Sequence, residues 1–411
     1  MKTIQIYKKD RYLSKLQSQI LEAFTLPSPN NSDAGIILKE TIFFPGGGGQ
    51  SCDMGSINGY PVVRVYEDQG EIIHQIKDGA KLLAEDKLIL GIQCEMELDW
   101  DRRFDNMQRH CGEHILSGIC YRLWGGVNRG FHMGDDYMTI DISLEDNPQF
   151  KEVTWDMVQE AELEANKVIW QDLPVTPHHF DTKEEAVKMP VRKQIAIDED
   201  ITIVTIGSEQ NPADSVACCG THPSTAGQVG LIKIYKVEPN KGMYRIYFEA
   251  GKRALLGYRQ RYDVLAKLEK DLSAGFPDLM DKYKARQEKN REIKDRLYHL
   301  TKETIEKEKE RLLSEIDTGH SVYEYSNLTI DDLIEMGRAL EGNIPGLLHL
   351  VHCPSNTLLM FSDNIDCGKL VKDNASVFNG KGGGNKKFAR AIFNRPDDLH
   401  LFIDAIEKLS R

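Results

Sequence analysis

Short apolar runs punctuated by turn residues dominate the first part of the chain. Residues 35–44, 60–66, 71–76 and 88–93 read as strands, so the block up to about residue 95 is expected to be mainly β. Beyond it the apolar period lengthens. Residues 102–124 read as a helix. Thr154 is placed to cap a second helix over 155–170, supported by acidic residues in its first turns. Residues 131–142 run from a loop into a strand, and strand patterns return at 201–206, 230–235 and 243–249. The block 96–252 therefore reads as α/β.

From residue 253 to about 320 charge takes over. Leu255, Tyr262, Leu265, Leu268 and Leu272 form one helical stripe, which Gly275, Phe276 and Pro277 break. Leu279, Tyr283, Ile293, Leu297, Leu300, Leu312 and Ile316 form a sparser second stripe. This pattern predicts an antiparallel helical hairpin or coiled-coil-like arm. The remaining residues, 321–411, read as a small α/β unit with helices over 328–342 and 397–409 and strands over 347–352 and 357–361. A glycine loop over 378–390 carries Lys381, Lys386, Lys387 and Arg390, basic side chains suited to a phosphate backbone. The expected fold class is α+β and multidomain, in segments 1–95, 96–252, 253–320 and 321–411.

Composition narrows this picture. The 411 residues are 40% hydrophobic, and no apolar run approaches the roughly 20 residues that span a bilayer. The first ten residues lack an apolar signal-peptide core, and eight dispersed cysteines suit reduced thiols, so a cytoplasmic protein is expected. A net charge of -12 argues against indiscriminate nucleic-acid binding and leaves local basic patches as the means of holding a polyanion. Besides the glycine loop, Lys252, Arg253, Arg259 and Arg261 form such a cluster.

Chemistry enters with two spaced pairs. His110 and His114 stand four apart in a helix, which puts both imidazoles on one face, with small Ser117 and Gly118 next along the stripe. Cys218 and His222 repeat the four-residue step in a glycine-bearing turn. Three imidazoles and a thiolate form a zinc-binding set, and Zn2+ is the expected metal. Pro45 through Gln50, with four glycines, is read either as a hairpin turn or as a loop whose amides face a ligand. Glu113 is placed either as a general base beside the metal or as a solvated helix carboxylate.

Residues 106–114 (NMQRHCGEH) with 218–222 (CCGTH) closely resemble the HxxxH…CxGTH signature of alanyl-tRNA editing proteins. That family comprises the freestanding AlaX proteins and the editing domain of alanyl-tRNA synthetase. Residues 44–53 (FPGGGGQSCD) look like the N-terminal β-barrel loop of the longer AlaX forms, 130–137 (GFHMGDDY) like the loop after their metal helix, and 380–385 (GKGGGN) like the glycine loop of the DHHA1-type C-terminal domain. The match covers nearly the whole chain, in order.

The resemblance implies an N-terminal β-barrel, a zinc-bearing editing domain, a helical arm and a DHHA1-like C-terminal domain. It implies hydrolysis of the ester in alanine tRNA mischarged with serine or glycine. It places Gln50 and His132 in the substrate pocket beside Glu113, makes tRNA the partner, and gives the arm or C-terminal domain a role in forming a homodimer. Cys219 departs from the family pattern, which commonly has glycine there. Two rival readings remain from the residues alone. One is an RNA-binding module with structural zinc; the other is a metallopeptidase of the HxxEH kind, which needs a carboxylate as third ligand.

Overall fold

A computed structural model describes residues 2–27, 32–147, 149–316 and 318–409. The chain divides into two compact units, Met1–Lys267 and Leu268–Arg411.

In the first unit six strands close into a barrel: β1 (Lys15–Thr25), β2 (Ala34–Leu38), β3 (Gly55–Ile57), β4 (Tyr60–Asp68), β5 (Glu71–Ile76) and β6 (Gln93–Leu98). They run in the order β1-β2-β5-β4-β3-β6, every neighbour antiparallel, with β6 pairing back onto β1. Ile20, Ile36, Leu38, Ile57, Ile76 and Met96 fill the interior. The strand expected over 88–93 lies instead at Gln93–Leu98. There Cys94, Met96 and Leu98 alternate inward with polar residues outward, whereas 88–92 form turns that bury Leu88 and expose Ile89 and Leu90. β1 escaped the pattern because its sequence is mostly polar and a bulge between Ile20 and Glu22 interrupts its alternation.

The next element is α1 (Trp100–Trp124), capped by the Asp99 side chain at its start and by Gly125 in the left-handed region at its end. Two sheets pack with it. One has the order β12-β13-β8-β7, built from β7 (Val127–Met133), β8 (Met138–Ser143), β12 (Ile232–Asn240) and β13 (Met243–Ala250). The other is the meander β9 (Val175–Thr182), β10 (Glu199–Ser208), β11 (Asn211–Ala217). With α2 (Trp155–Trp170), capped by Thr154 as its sequence predicts, they bury a second core around Ile115, Ile119, Ile140, Ile206 and Phe248. Arg103 of α1 ties this core to the barrel. Its guanidinium is fully buried against Asp53 and also donates to the Ile42 and Arg11 carbonyls.

Two helices follow, α3 (Gly251–Leu272) and α4 (Leu279–Glu315), interrupted where Gly275, Phe276 and Pro277 fall. Most of their stripe residues, among them Tyr262, Ile293, Leu297 and Leu300, are exposed in the single chain.

The second unit is a sheet of order β14-β15-β16-β18-β17, built from β14 (His320–Tyr325), β15 (Leu347–His352), β16 (Thr357–Phe361), β17 (Gly380–Gly384) and β18 (Phe388–Phe393). Helices α5 (Ile330–Ala339), α6 (Cys367–Asn374) and α7 (Pro396–Leu409) cover it through two cores. Here the expected glycine loop is corrected. Residues 380–384 and 388–393 form a hairpin, and the Asn385 side chain closes its turn by accepting from the Lys387 and Phe388 amides. Across both units, no helix among the described residues is long and apolar enough to cross a membrane.

Candidate functional site

α1 carries His110 and His114 one turn apart, and the turn leaving β11 carries Cys218 and His222. One donor atom from each of the four lies within 4.8 Å of the other three. Cys218 Sγ is 3.5 Å from His110 Nε2 and 3.4 Å from His222 Nε2. Gly220 makes the turn tight, since a Cβ there would lie 2.2 Å from the His110 ring, and its amide donates to Cys218 Sγ. Burial alone would raise the Cys218 thiol, but His110 and His114 beside it hold it well below its ordinary value. Burial, then the neighbouring His114, pushes His222 down to about 3, keeping its imidazole neutral. Buried imidazoles and a thiol biased to thiolate fit a metal ion in chemistry and spacing.

Polar neighbours hold these four side chains. Gln50 is buried behind His110, accepting at 2.8 Å from the ring's Nδ1 while its amide donates to Thr221 Oγ1 and its carbonyl accepts from the Thr221 amide. His114 Nδ1 lies 3.1 Å from Asp214 Oδ2, an electrostatic contact bent away from hydrogen-bond alignment. Burial opposes charge on His114, but Cys218 and Asp214 carry it up to about 10. Asp214 is in turn gripped by Arg192 at 2.7 Å, and despite burial Arg192 and His114 hold its carboxyl below the usual range. His222 Nδ1 has no hydrogen-bond partner among the described residues. It is the least anchored of the four side chains.

Gln50 arrives on the barrel loop. Gly46, Gly47, Gly48 and Gly49 all have positive φ, and a Cβ on Gly49 would strike the Phe131 ring at 2.4 Å. Asp53 closes the loop base by accepting from the Phe44 amide, and Arg103 fixes Asp53.

Beside the cluster opens a cavity of about 310 Å3 lined by Glu113, Asn128, Phe131, Lys8, Lys193 and Cys219, among others. Glu113 Oε1 accepts from Ser117 Oγ at 2.6 Å and from Asn128 Nδ2 at 2.8 Å, and Oε2 lies 3.9 Å from His114 Nε2. A bulge in β7 opposite Asp141 and Ile142 puts Asn128 and Phe131 on the same side. His132, the next residue, is exposed and is not among the side chains lining this cavity.

The structure brings His110, His114, Cys218 and His222 together with Glu113 and Gln50, and leaves His132 off the cavity wall. Asp214, Arg192 and Asn128 were not anticipated from the sequence. A lone aspartate inside the strand 211–217 was the available signal, hidden because that strand was not recognised. The basic residues of the glycine segment are in the second unit. Lys381, Lys386 and Lys387 are exposed, Lys387 sits 3.9 Å from both Glu341 and Asp363, and Arg390 Nε is buried with no hydrogen-bond partner among the described residues. The first amides of α6 already donate to the Lys386 and Asn385 carbonyls. Of the other basic cluster, Arg253 is committed to Asp105 and Arg261 to the Tyr235 ring.

Fold and site together define an α+β protein in which a helix and a turn bring three histidines and a cysteine to the edge of an open cavity, beside a barrel loop. The family described as threonyl and alanyl tRNA synthetase second additional domain matches residues 201–247, which contain β10, β11, Cys218 and His222. The chain is 30% identical to the alanyl-tRNA editing protein AlaX-L of Pyrococcus horikoshii, a match covering 98% of each chain. It is 30% identical to alanyl-tRNA editing protein Aarsd1 of Mus musculus over 61% of this chain and 57% of that one. It is 27% identical to alanine–tRNA ligase of Thermococcus kodakarensis, of whose length it spans 43%. The chain belongs to the alanyl-tRNA editing protein family.

Proposed function

We propose that this protein is a zinc-dependent hydrolase that removes serine or glycine from mischarged alanine tRNA in the cytoplasm. The observation that carries the reading is the side-by-side placement of the four-ligand cluster and an open cavity into which an oriented carboxylate faces. His110, His114, Cys218 and His222 would hold Zn2+, which supplies a Lewis acid able to polarise an ester carbonyl or acidify a water. Ser117 and Asn128 engage one oxygen of Glu113 and leave the other towards the cluster, where it can take a proton from attacking water. Gln50 acts by fixing the His110 ring rather than by touching substrate, and Asp214 does the same for His114. Phe131, stacked on His110 at 5.8 Å, walls the cavity. Selection of serine over alanine requires a group that hydrogen-bonds the serine hydroxyl, because a site built to pair a hydroxyl rejects the analogue lacking it far better than an apolar pocket can.

The rival peptidase reading lacks support here, because the third and fourth members of the cluster are Cys218 and His222 rather than a carboxylate. In this reading the segments 1–95, 96–252, 253–320 and 321–411 act as barrel, editing, arm and DHHA1-like domains. Lys381, Lys386, Lys387 and Arg390 contribute tRNA contacts, and the arm or last domain provides a homodimer contact.

The test is deacylation of Ser-tRNA, Gly-tRNA and Ala-tRNA, all on alanine tRNA, by wild type, Cys218→Ala and His110→Ala, with zinc content determined for each. Loss of the seryl or glycyl ester, sparing of Ala-tRNA and parallel loss of zinc and activity in the variants are expected. A zinc-loaded wild type that leaves every ester intact would overturn the proposal.

A further inference from the structure

The substrate assigned above is attached to a polynucleotide, and the cavity beside the cluster must let the strand leave. One neighbouring space, bordered by Tyr7, Arg11 and His222, measures about 30 Å3, room for a water and no more. Another measures about 680 Å3 and shares Arg192, Lys193 and Ala196 with the cluster cavity, so the two are compartments on either side of one short segment.

The larger compartment has the chemistry of a single-strand site. Arg129 and Lys193 line it, and among the described residues no carboxylate pairs with Lys193. Arg129 is partly offset by Asp146 at 3.2 Å, an exposed pair that phosphate can compete for. Tyr121, on the last turn of α1, lines it and is 45% exposed as a residue. An open aromatic face beside cations within reach of phosphate is how sequence-tolerant sites hold unpaired nucleotides, by stacking a base and neutralising the adjoining phosphates.

We infer that this compartment receives the unpaired nucleotides preceding the terminal adenosine of the substrate RNA, with Tyr121 stacking a base and Lys193 and Arg129 facing its phosphates. The inference rests on the deacylase reading for the direction of the strand, and is tested without catalysis.

Binding of uncharged alanine tRNA is measured with its 3′ end intact and with the last three nucleotides removed. Wild type, Tyr121→Phe and the double variant Tyr121→Ala/Lys193→Ala are compared. Trimming is expected to weaken wild-type binding about 5- to 100-fold. The double variant should bind intact tRNA more weakly than wild type does and should lose a smaller factor on trimming, and Tyr121→Phe should behave as wild type. Equal losses by the double variant on both RNAs, or a wild type indifferent to trimming, would overturn the assignment. A wild type that shows the binding pattern yet leaves Ser-tRNA intact at saturating protein would remove the deacylase reading and keep the groove.

Discussion

Residues 46–49 are four consecutive glycines, and residues 380–384 hold four glycines in five positions, yet the backbone uses them in opposite ways. In the first unit every glycine of the run has positive φ, and the loop ends by placing Gln50 against a candidate metal ligand. In the second unit none of the run has positive φ. There the glycines form a strand, and a Cβ on Gly382 would lie 2.2 Å from the Arg390 carbonyl and 2.9 Å from Val371 of α6. One run is a conformational device serving a site. The other is a clearance device serving a helix, since a Cβ on Gly368 of α6 would in turn lie 2.6 Å from the Gly384 carbonyl.

The sharpest way to break this comparison is to cut the anchor of the first loop. Asp53→Ala leaves the Arg103 guanidinium buried without its carboxylate, and a loss of about 3–5 kcal/mol in chemical denaturation is expected. Deacylation should fall with it, because Asp53 also holds the base of the loop that carries Gln50. Retained activity in the folded variant would show that the loop keeps its shape unaided. Next in size is Gly49→Ala. Positive φ and the collision with Phe131 together predict a cost of about 1–3 kcal/mol and more than tenfold loss of deacylation.

Gln50→Ala separates position from fold. Removing the partner of His110 Nδ1 should weaken zinc binding about 10- to 100-fold, with a smaller change in melting temperature than the loop-base variant shows. Unchanged zinc affinity would return Gln50 to the substrate side of the site.

The second unit offers a contrasting histidine. His349 is fully buried in the sheet with neither ring nitrogen hydrogen-bonded among the described residues, and burial, then His320, pushes it down to about 3. Its folded value lies below the unfolded one near 6.5. The neutral ring therefore gives its full contribution above pH 6.5, and stability is lost as pH falls from there towards 3. His349→Leu removes that slope, and at pH 5 the variant should gain about 2 kcal/mol relative to its standing at pH 7. Hydrogen exchange of β15 amides in the full chain measures it. An unchanged slope would assign His349 a partner.

What the sequence made legible was local. His110 with His114, and Cys218 with His222, are each a four-residue step inside one helix or turn, so periodicity alone puts them together. The barrel strands with clean alternation were equally readable. Partners delivered across the fold were not: Asp214 comes to His114 from a strand preceding Cys218, and Arg192 from a segment without regular pattern. His132 shows the same limit within a strand. The bulge in β7 inverts the parity, so the side that faces the cavity includes Asn128 and Phe131 and leaves His132 outside.

The smallest expected effect is the most discriminating for the glycine comparison. Gly383 has an ordinary strand conformation, and a Cβ built on it meets nothing within 4 Å, unlike its neighbours on either side. If the second run exists for clearance, Gly383→Ala should be tolerated, and the reduced entropy of the unfolded chain should stabilise the unit by about 0.4–1 kcal/mol. Gly382→Ala, with the Arg390 carbonyl in the way, should destabilise it. If instead the open face of Gly383 admits a phosphate to the backbone, Gly383→Ala would weaken tRNA binding while leaving the melt unchanged or improved. The pair of melts and the binding curve together separate a glycine required by packing from one required by a ligand, which composition cannot do.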